Sequence, residues 1–136
     1  MDKEQGIKLP NGMDSDENAD LIIGIVGPCN SGKTTLVNGL KRHGFIARHI
    51  AQEHSYAPNM WRRITNPDVL IYLDVTYQIS QGRRTLDWTS RQFDDQIQRL
   101  THAHEHANLI IDTDPLAISE VLDMAIRFLQ GRTHST

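Results

Sequence analysis

Residues 21–34 read LIIGIVGPCNSGKT, an apolar run followed at once by a loop of the form G-x-x-x-x-G-K-T. The run 21–26 is short, branched and almost wholly apolar, which is typical of a strand buried on both faces of a parallel sheet. From Lys33 onward, leucine and valine side chains recur at helical spacing. The order of strand, glycine-rich loop and helix is the one that a phosphate-binding loop requires.

The chemistry of this loop suits an anion. Its glycines allow backbone N–H groups to turn inward, because glycine takes the required angles without steric cost. Those N–H groups and the positive end of the following helix attract a phosphate. Lys33 is expected to reach the β- and γ-phosphates of a nucleotide, and the Thr34 hydroxyl to hold Mg²⁺. The residues predicted to bind the nucleotide here are Gly27, Asn30, Ser31, Gly32, Lys33, Thr34 and Thr35.

Apolar runs and helical stretches alternate along the rest of the chain. Strands are predicted at 21–26, 45–51, 69–73 and 109–111, and helices at 33–43, 58–64, 76–85, 89–107 and 116–129. This alternation predicts an α/β fold, a three-layer α/β/α sandwich around a small, mainly parallel sheet. We predict the strand order 2-1-3-4 with right-handed crossovers as a hypothesis.

Composition and charge indicate one globular domain between two polar tails. The apolar share of 38% and the charged share of 23% are ordinary for a globular protein. Residues 1–20 hold six acids and two lysines without apolar periodicity, so we expect a disordered acidic tail there, a single domain over 21–131 and a short tail over 132–136. Beyond residue 20, 11 acids and 12 bases nearly balance, which argues against a nucleic-acid partner.

Other sequence features bear on the compartment. No apolar run approaches the roughly 18 residues of a membrane span, and the first residues lack the pattern of a secretory signal. The chain has a single cysteine, Cys29, which excludes a disulfide framework within it. These features favour a cytoplasmic protein without a membrane partner.

Over most of residues 21–130 the chain resembles the P-loop nucleoside and nucleotide kinases of the thymidylate-kinase type. The segments that carry the resemblance are IIGIVGPCNSGKTTL, PDVLIYLDV with the arginine-bearing helix after it, and NLIIDTDPLAISEVLDMAIRFL. The resemblance implies transfer of the γ-phosphoryl group of ATP, with Mg²⁺, to a small acceptor. It also implies catalytic cations on a lid at Arg83, Arg84 and Arg91, and an adenine site that includes Asp114 and Pro115.

The chain departs from this family between the second and third strands. Only about 17 residues, 51–67, fill an interval that usually holds a substantial acceptor-binding segment, and four strands are predicted where the family usually has five. Arg62, Arg63, Trp61 and Tyr56 are the candidates for acceptor binding in this segment. Its shortness leaves a second function open, a nucleotide-binding ATPase or switch that acts on a protein partner; homo-oligomer formation is also left open.

Two acids stand at the carboxyl ends of predicted strands, the edge at which open parallel sheets bind ligands. Asp74 ends VLIYLD, and Glu53 follows the second strand in IAQEHS. If the second strand lies beside the loop strand, Glu53 is near the transferred phosphoryl group, where a carboxylate orients the acceptor hydroxyl or a metal-bound water. Both acids are candidate Mg²⁺ ligands, and helix capping or solvation is the alternative for each.

Three histidines, His102, His104 and His106, lie on one predicted helix. His102 and His106 are four residues apart and have the spacing to share a metal ion, although an exposed, partly titrating helix face is the favoured interpretation. The chain contains no N-K-x-D or T-K-x-D motif, so ATP is favoured over a guanine nucleotide.

Overall fold

The computed structural model describes residues 21–83 and 89–134, apart from the side chains of 133 and 134; the predicted acidic tail 1–20 and Arg84 lie outside these ranges. Its strands are β1 (Ile22–Val26), β2 (Ile46–His49), β3 (Val69–Asp74) and β4 (Leu109–Asp112). Its helices are α1 (Lys33–Arg42), α2 (Tyr77–Arg83), α3 (Ser90–Arg99), α4 (Thr101–His106) and α5 (Ile118–His134). A 3₁₀ turn (Gln52–His54) and a π-helical turn (Trp61–Thr65) lie between β2 and β3.

The four strands are all parallel and lie in the order β2-β1-β3-β4, which confirms the predicted order. In the centre of the sheet Ile25 pairs with His49 of β2 on one side and with Ile71 of β3 on the other. All four strands therefore end at one edge, called here the carboxyl edge. The segments that follow β1, β2, β3 and β4 meet at this edge.

Helices cover both faces of the sheet, as the predicted three-layer sandwich requires. Ile23, Ile25 and Ile71 point to the face covered by α1 and α5, where each is fully buried. Leu70 and Tyr72 point to the opposite face, which α4 and the π-helical turn cover. Full burial of an aliphatic side chain of this size contributes about 1.5–3 kcal/mol to folding. Because side chains alternate between the two faces of each strand, both faces carry apolar residues that a helix must cover.

Several elements differ from their predicted bounds. The predicted helix 89–107 is broken at Leu100 into α3 and α4, and α5 continues to His134, past the predicted end at 129. Phe93, Leu100 and Ala103 are all buried, so the apolar periodicity runs through the break and gave no sign of it. The start of α3 was predicted correctly, since Thr89 forms a capping box with Gln92. Among the described residues, no helix has both the length and the apolar character needed to cross a membrane.

Candidate functional site

The loop 27–32 joins β1 to α1 and passes tightly over the end of β3. A Cβ atom at Gly27 would lie 2.4 Å from the backbone oxygen of Leu73, so only glycine fits there. Asn30 and Gly32 take left-handed backbone angles, with φ of 65° and 100°. Gly32 is also the N-terminal cap of α1, and it has no side chain with which to cap the N–H groups of the first turn. The loop thus presents N–H donors and a positive helix end at the carboxyl edge.

Lys33, the first residue of α1, folds its side chain back across this loop. Its Nζ donates to the backbone oxygens of Gly27 at 2.8 Å and Pro28 at 3.0 Å, and lies 2.9 Å from Oε2 of Glu53. Only 5% of the Lys33 side chain is exposed. Burial of an ammonium group is costly unless acceptors and an opposite charge surround it. These three oxygens explain how the charge is accommodated.

Glu53 reaches Lys33 because β2 lies next to β1, so that the turn after β2 is placed beside the loop after β1. Its side chain is 3% exposed. While Oε2 contacts Lys33, Oε1 is buried and has no hydrogen-bond partner among the described residues. A buried carboxylate oxygen without a donor carries a desolvation cost, so this oxygen keeps the capacity to accept another ligand. The prediction that Glu53 lies beside the loop agrees with this contact.

Gln52 holds the Glu53 turn in place. It is fully buried, and its Nε2 donates to the backbone oxygens of Ala57 at 2.8 Å and Arg99 at 3.2 Å. Its Oε1 accepts from the backbone N–H of Trp61 at 2.8 Å. One amide side chain therefore joins the 3₁₀ turn, the π-helical turn and α3. Nothing local in the sequence indicates this role, because a glutamine is usually exposed.

The sulfur of Cys29 faces the same turn. Gln96 of α3 accepts from the backbone N–H of Cys29 through Oε1 at 3.0 Å and donates to its Sγ through Nε2 at 3.3 Å. On the other side, Nε2 of His54 lies 3.8 Å from this sulfur and 3.7 Å from Oε2 of Glu53. A thiol, an imidazole and a carboxylate thus meet at the mouth of the loop. Neither Cys29 nor Gln96 was among the predicted site residues, since no local pattern joins residues so far apart in the chain.

Arg83, at the end of α2, ties the loop to the segment that follows β4. One guanidinium nitrogen, Nη1, donates to the backbone oxygen of Asn30 at 3.0 Å and to Oγ1 of Thr113 at 3.1 Å. The other, Nη2, donates to the backbone oxygen of Thr113 at 2.8 Å. Thr113 is buried, and its Oγ1 donates to the backbone oxygen of Asp74 at 2.7 Å. Arg83 is therefore a brace between two loops of the carboxyl edge.

Asp74 and Asp114 accept from backbone N–H groups that directly follow β3. Oδ1 of Asp74 accepts from Val75 at 3.0 Å, and Oδ1 of Asp114 accepts from Thr76 at 3.0 Å. These two contacts order the turn between β3 and α2, whereas the cap of α2 is Thr76, whose Oγ1 accepts from the backbone N–H of Ile79 at 3.4 Å. Of the two candidate acids, Glu53 is the one in contact with Lys33.

Beside the loop, on the face of the sheet that carries α1 and α5, lies a cavity of about 540 Å³. Such a volume is within the range of small-molecule sites, about 300–1,000 Å³. Ser31 lines this cavity, and its buried Oγ has no hydrogen-bond partner among the described residues. The other lining residues combine polar and apolar groups: Asn30, Gly32, Thr35, Leu36, Arg42, Arg83, Thr113, Leu116, Ala117, Ile118, Val121 and Leu122.

Two aromatic residues of the segment between β2 and β3 stack with arginines. The guanidinium of Arg62 lies 4.9 Å from the centroid of the Trp61 ring, and that of Arg99 lies 4.4 Å from the Tyr56 ring. Arg99 also donates to the backbone oxygen of Glu53 at 3.2 Å. Arg99 was not among the predicted site residues, because its contact depends on how α3 packs against the turn.

Five other residues that were predicted to belong to the site are exposed to solvent. Thr34 and Thr35 lie in the first turn of α1, Arg91 in the first turn of α3, and Arg63 in the π-helical turn. Pro115 follows β4. No contact among the described residues joins Arg63 or Arg91 to the loop 27–32, and Arg84 lies outside the described residues.

The histidines of α4 form a local cluster with Trp61. Nε1 of Trp61 donates to Nδ1 of His102 at 3.0 Å, and the ring of His106 stacks on that of His102 with centroids 4.2 Å apart. Burial, followed by the charges of His106 and Arg62, lowers the pKa of His102 below its ordinary value. His104 and His106 are exposed, as the favoured interpretation expected, whereas His102 is half-buried and bonded.

His49, at the end of β2, lies close enough to Lys33 and Glu53 for their charges to affect its pKa. Burial and then the positive charge of Lys33 lower its pKa, and the charge of Glu53 only partly opposes them.

Neither a protein-family model nor a curated protein matches the chain. The function of the chain is therefore inferred from the loop, the Lys33–Glu53 contact and the adjoining cavity.

Proposed function

We propose that the chain is an ATP-binding P-loop protein that, with Mg²⁺, transfers the γ-phosphoryl group of ATP to a small acceptor such as a nucleoside or nucleotide. One observation carries the proposal. A buried lysine ammonium lies across a glycine-rich strand-to-helix loop and touches a buried carboxylate on the next strand's turn. Phosphoryl transfer needs such a cation near the phosphates and such an acid near the attacking hydroxyl.

The residues of the loop fit a nucleotide phosphate. In the part of the chain that the structure describes, no side-chain cap is made at the N-terminus of α1, so its N–H groups are available to an anion. Lys33 supplies the positive charge, and the exposed Thr34 hydroxyl supplies an oxygen ligand for Mg²⁺. When bound, Mg²⁺ neutralises charge on the phosphates, and Glu53 or Asp74 is the acid proposed to assist it.

The cavity beside the loop fits the nucleoside part of the ligand. It lies directly next to the loop, with apolar walls from Leu116 and Val121 and polar groups from Arg83 and Thr113. In this proposal the base lies near Asp114 and Pro115, while Arg83, Arg84 and Arg91 supply cations around the transferring group. The P-loop kinase fold of the thymidylate-kinase type belongs to the same proposal. We also place the protein in the cytoplasm.

A second function, ATP hydrolysis or an ATP-dependent switch acting on a protein partner or on a second copy of the chain, is favoured by one observation. The short segment between β2 and β3 is held in place by the three hydrogen bonds of Gln52. A segment fixed in this way has little freedom to enclose an acceptor, whereas family members use a longer one. Kinase activity remains the first proposal because Glu53 is already beside Lys33.

Two experiments test the proposal in order. Calorimetry with Mg-ATP should show binding that Lys33→Ala weakens strongly and that Lys41→Ala, an exposed lysine in the last turn of the same helix, leaves unchanged. Equal affinity in a folded Lys33→Ala variant would rule the loop out. Mass spectrometry after incubation with Mg-ATP and pooled nucleosides, nucleotides and sugars should then show a phosphorylated product. Hydrolysis without a product would favour the second function.

A further inference from the structure

We propose that Cys29, Glu53 and His54 form a binding site for a borderline-soft divalent metal ion, of which Zn²⁺ is the best fit. The three side chains offer donor atoms that all lie within 4.8 Å of one another. This site shares Glu53 with the Mg²⁺ and acceptor roles proposed above, whereas Cys29 and His54 have no part in them. It can bind a metal ion whether or not the chain binds a nucleotide.

The spacing of the donor atoms is close to that of a tetrahedral zinc site. Zinc bonds of about 2.3 Å to sulfur and 2.0–2.2 Å to nitrogen or oxygen place neighbouring ligand atoms about 3.3–3.7 Å apart in a tetrahedron. Here Sγ of Cys29 and Nε2 of His54 are 3.8 Å apart, and Nε2 of His54 and Oε2 of Glu53 are 3.7 Å apart. The third pair, Sγ of Cys29 and the carboxylate of Glu53, lies within 4.8 Å and would close by up to about 1 Å to complete the set.

Two further observations indicate a built site. Oε1 of Glu53 is buried without a hydrogen-bond partner among the described residues, so the carboxylate has one oxygen left to accept a ligand while Oε2 contacts Lys33. The buried Gln96 forms hydrogen bonds with both the backbone N–H and the sulfur of Cys29. These two bonds fix the direction of the thiol. Partners of this kind commonly orient the ligands of metal sites.

The type of donor atom determines which metal ion binds best. A thiolate together with an imidazole suits Zn²⁺ or Co²⁺ far better than Mg²⁺, which prefers oxygen ligands. Three protein ligands leave the fourth position of a tetrahedral ion open. The thiol of Cys29 loses its proton on binding, so metal binding is expected to release a proton and to weaken at acid pH.

Lys33 competes with the metal for Glu53. Its ammonium is 2.9 Å from Oε2, so a divalent ion on the same carboxylate meets a like charge at short range. We therefore expect Lys33→Met to tighten metal binding, the reverse of its expected effect on a nucleotide. Because Lys33→Met is expected to change metal affinity and nucleotide affinity in opposite directions, a failure of this proposal can be told apart from a failure of the proposed function.

Cobalt titration of the chelator-treated full chain tests the site, in the absence of nucleotide. Because the chain contains one cysteine, a thiolate-to-cobalt charge-transfer band reports on Cys29 alone. We expect the band to saturate at one Co²⁺ per chain and to be displaced by Zn²⁺. Cys29→Ser should abolish it, His54→Asn should weaken Co²⁺ binding more than 100-fold, and Gln96→Ala should weaken it about 10- to 100-fold. His106→Asn, which removes an exposed histidine elsewhere, should change nothing.

A second readout avoids the cysteine variant. Zn²⁺ should slow the reaction of Cys29 with a thiol reagent in the unmodified chain, and His54→Asn should remove that protection. The proposal is overturned if the unmodified chain gives no charge-transfer band, if the band saturates at one ion per two chains, or if His54→Asn leaves both the band and the protection unchanged.

Discussion

Nζ of Lys33 lies 2.9 Å from Oε2 of Glu53, and both side chains are almost completely buried. The contact joins the segments that follow β1 and β2, two neighbouring strands of the parallel sheet. Two charges buried together are costly to separate, because the partner left behind keeps its desolvation cost without its compensation. The pair is therefore both a structural link and the centre of the proposed site.

The first prediction concerns stability. Lys33→Met should lower the free energy of unfolding by about 3–5 kcal/mol, because it leaves the Glu53 carboxylate buried and unpaired. Adding Glu53→Gln removes that charge, so the double variant should recover a large part of the loss. Urea unfolding of the two single variants, the double variant and the unmodified chain measures the coupling. Additivity within about 0.5 kcal/mol would show that the two charges do not depend on each other.

The second prediction concerns catalysis and separates the two proposed functions. Glu53→Gln preserves the size of the side chain but removes the charge that orients an acceptor hydroxyl. Binding of Mg-ATP should remain nearly intact, while phosphoryl transfer falls about 100-fold or more. Single-turnover rates at saturating ATP provide the measurement. A rate within about twofold of the unmodified chain, roughly 0.4 kcal/mol in the barrier, would remove Glu53 from the mechanism, and Asp74→Asn would be the next variant to measure.

The third prediction concerns Arg83. The lid role implied by the family resemblance predicts that Arg83→Ala lowers turnover more than ATP affinity. The brace from Arg83 to Asn30 and Thr113 adds a further effect, because losing it frees the loop. We expect the Kd for Mg-ATP to rise about 5- to 10-fold, on the order of 1 kcal/mol for exposed hydrogen bonds, and turnover to fall further.

Arg127→Ala is the matched control for Arg83. Arg127 forms an exposed ion pair with Asp123 on α5, and pairs of this kind contribute little. Both Kd and turnover should stay unchanged in this variant. If Arg83→Ala behaves like Arg127→Ala in both measurements, the end of α2 is ordinary surface.

Local patterns predicted more of the fold than of the site. The predicted strand order, which keeps every crossover right-handed, is the order found, and the loop 27–32 was predicted from its glycines and the flanking apolar run. Gln52 and Gln96 could not be predicted, because each acts through hydrogen bonds to distant segments that have no periodic signature. The break at Leu100 was hidden for a different reason, since buried apolar residues continue at helical spacing across it.

The fourth prediction tests the close approach of the loop to β3. Gly27→Ala should destabilise the protein by about 2 kcal/mol or more, because its Cβ would lie 2.4 Å from a backbone oxygen of a central strand, which has no room to move. Gly82→Ala is the matched control. Gly82 is helical with nothing within 4 Å of its Cβ position, so alanine there should stabilise by about 0.5–1 kcal/mol. Thermal or urea unfolding compares the two, and equal effects would contradict the packing argument.

The fifth prediction concerns pH and rests on the bond from Trp61 to His102. Nδ1 of His102 accepts from Trp61, so in the folded chain that nitrogen carries no proton. Burial, then the charges of His106 and Arg62, lower the pKa of His102 below its ordinary value of about 6.5, while Glu105 opposes them. Below that pH the unfolded chain binds more protons at this site than the folded chain, so the free energy of unfolding should decrease as the pH falls.

A His102→Asn variant isolates this contribution, because the asparagine oxygen offers Trp61 an acceptor that does not titrate. Urea unfolding from about pH 7.5 down to pH 5 should show the unmodified chain losing stability more steeply than the variant below about pH 6.5, the ordinary histidine value. Above that pH the two curves should run parallel, since His102 is then neutral in both the folded and the unfolded chain. Parallel curves over the whole range would show that the proton on His102 is not linked to folding.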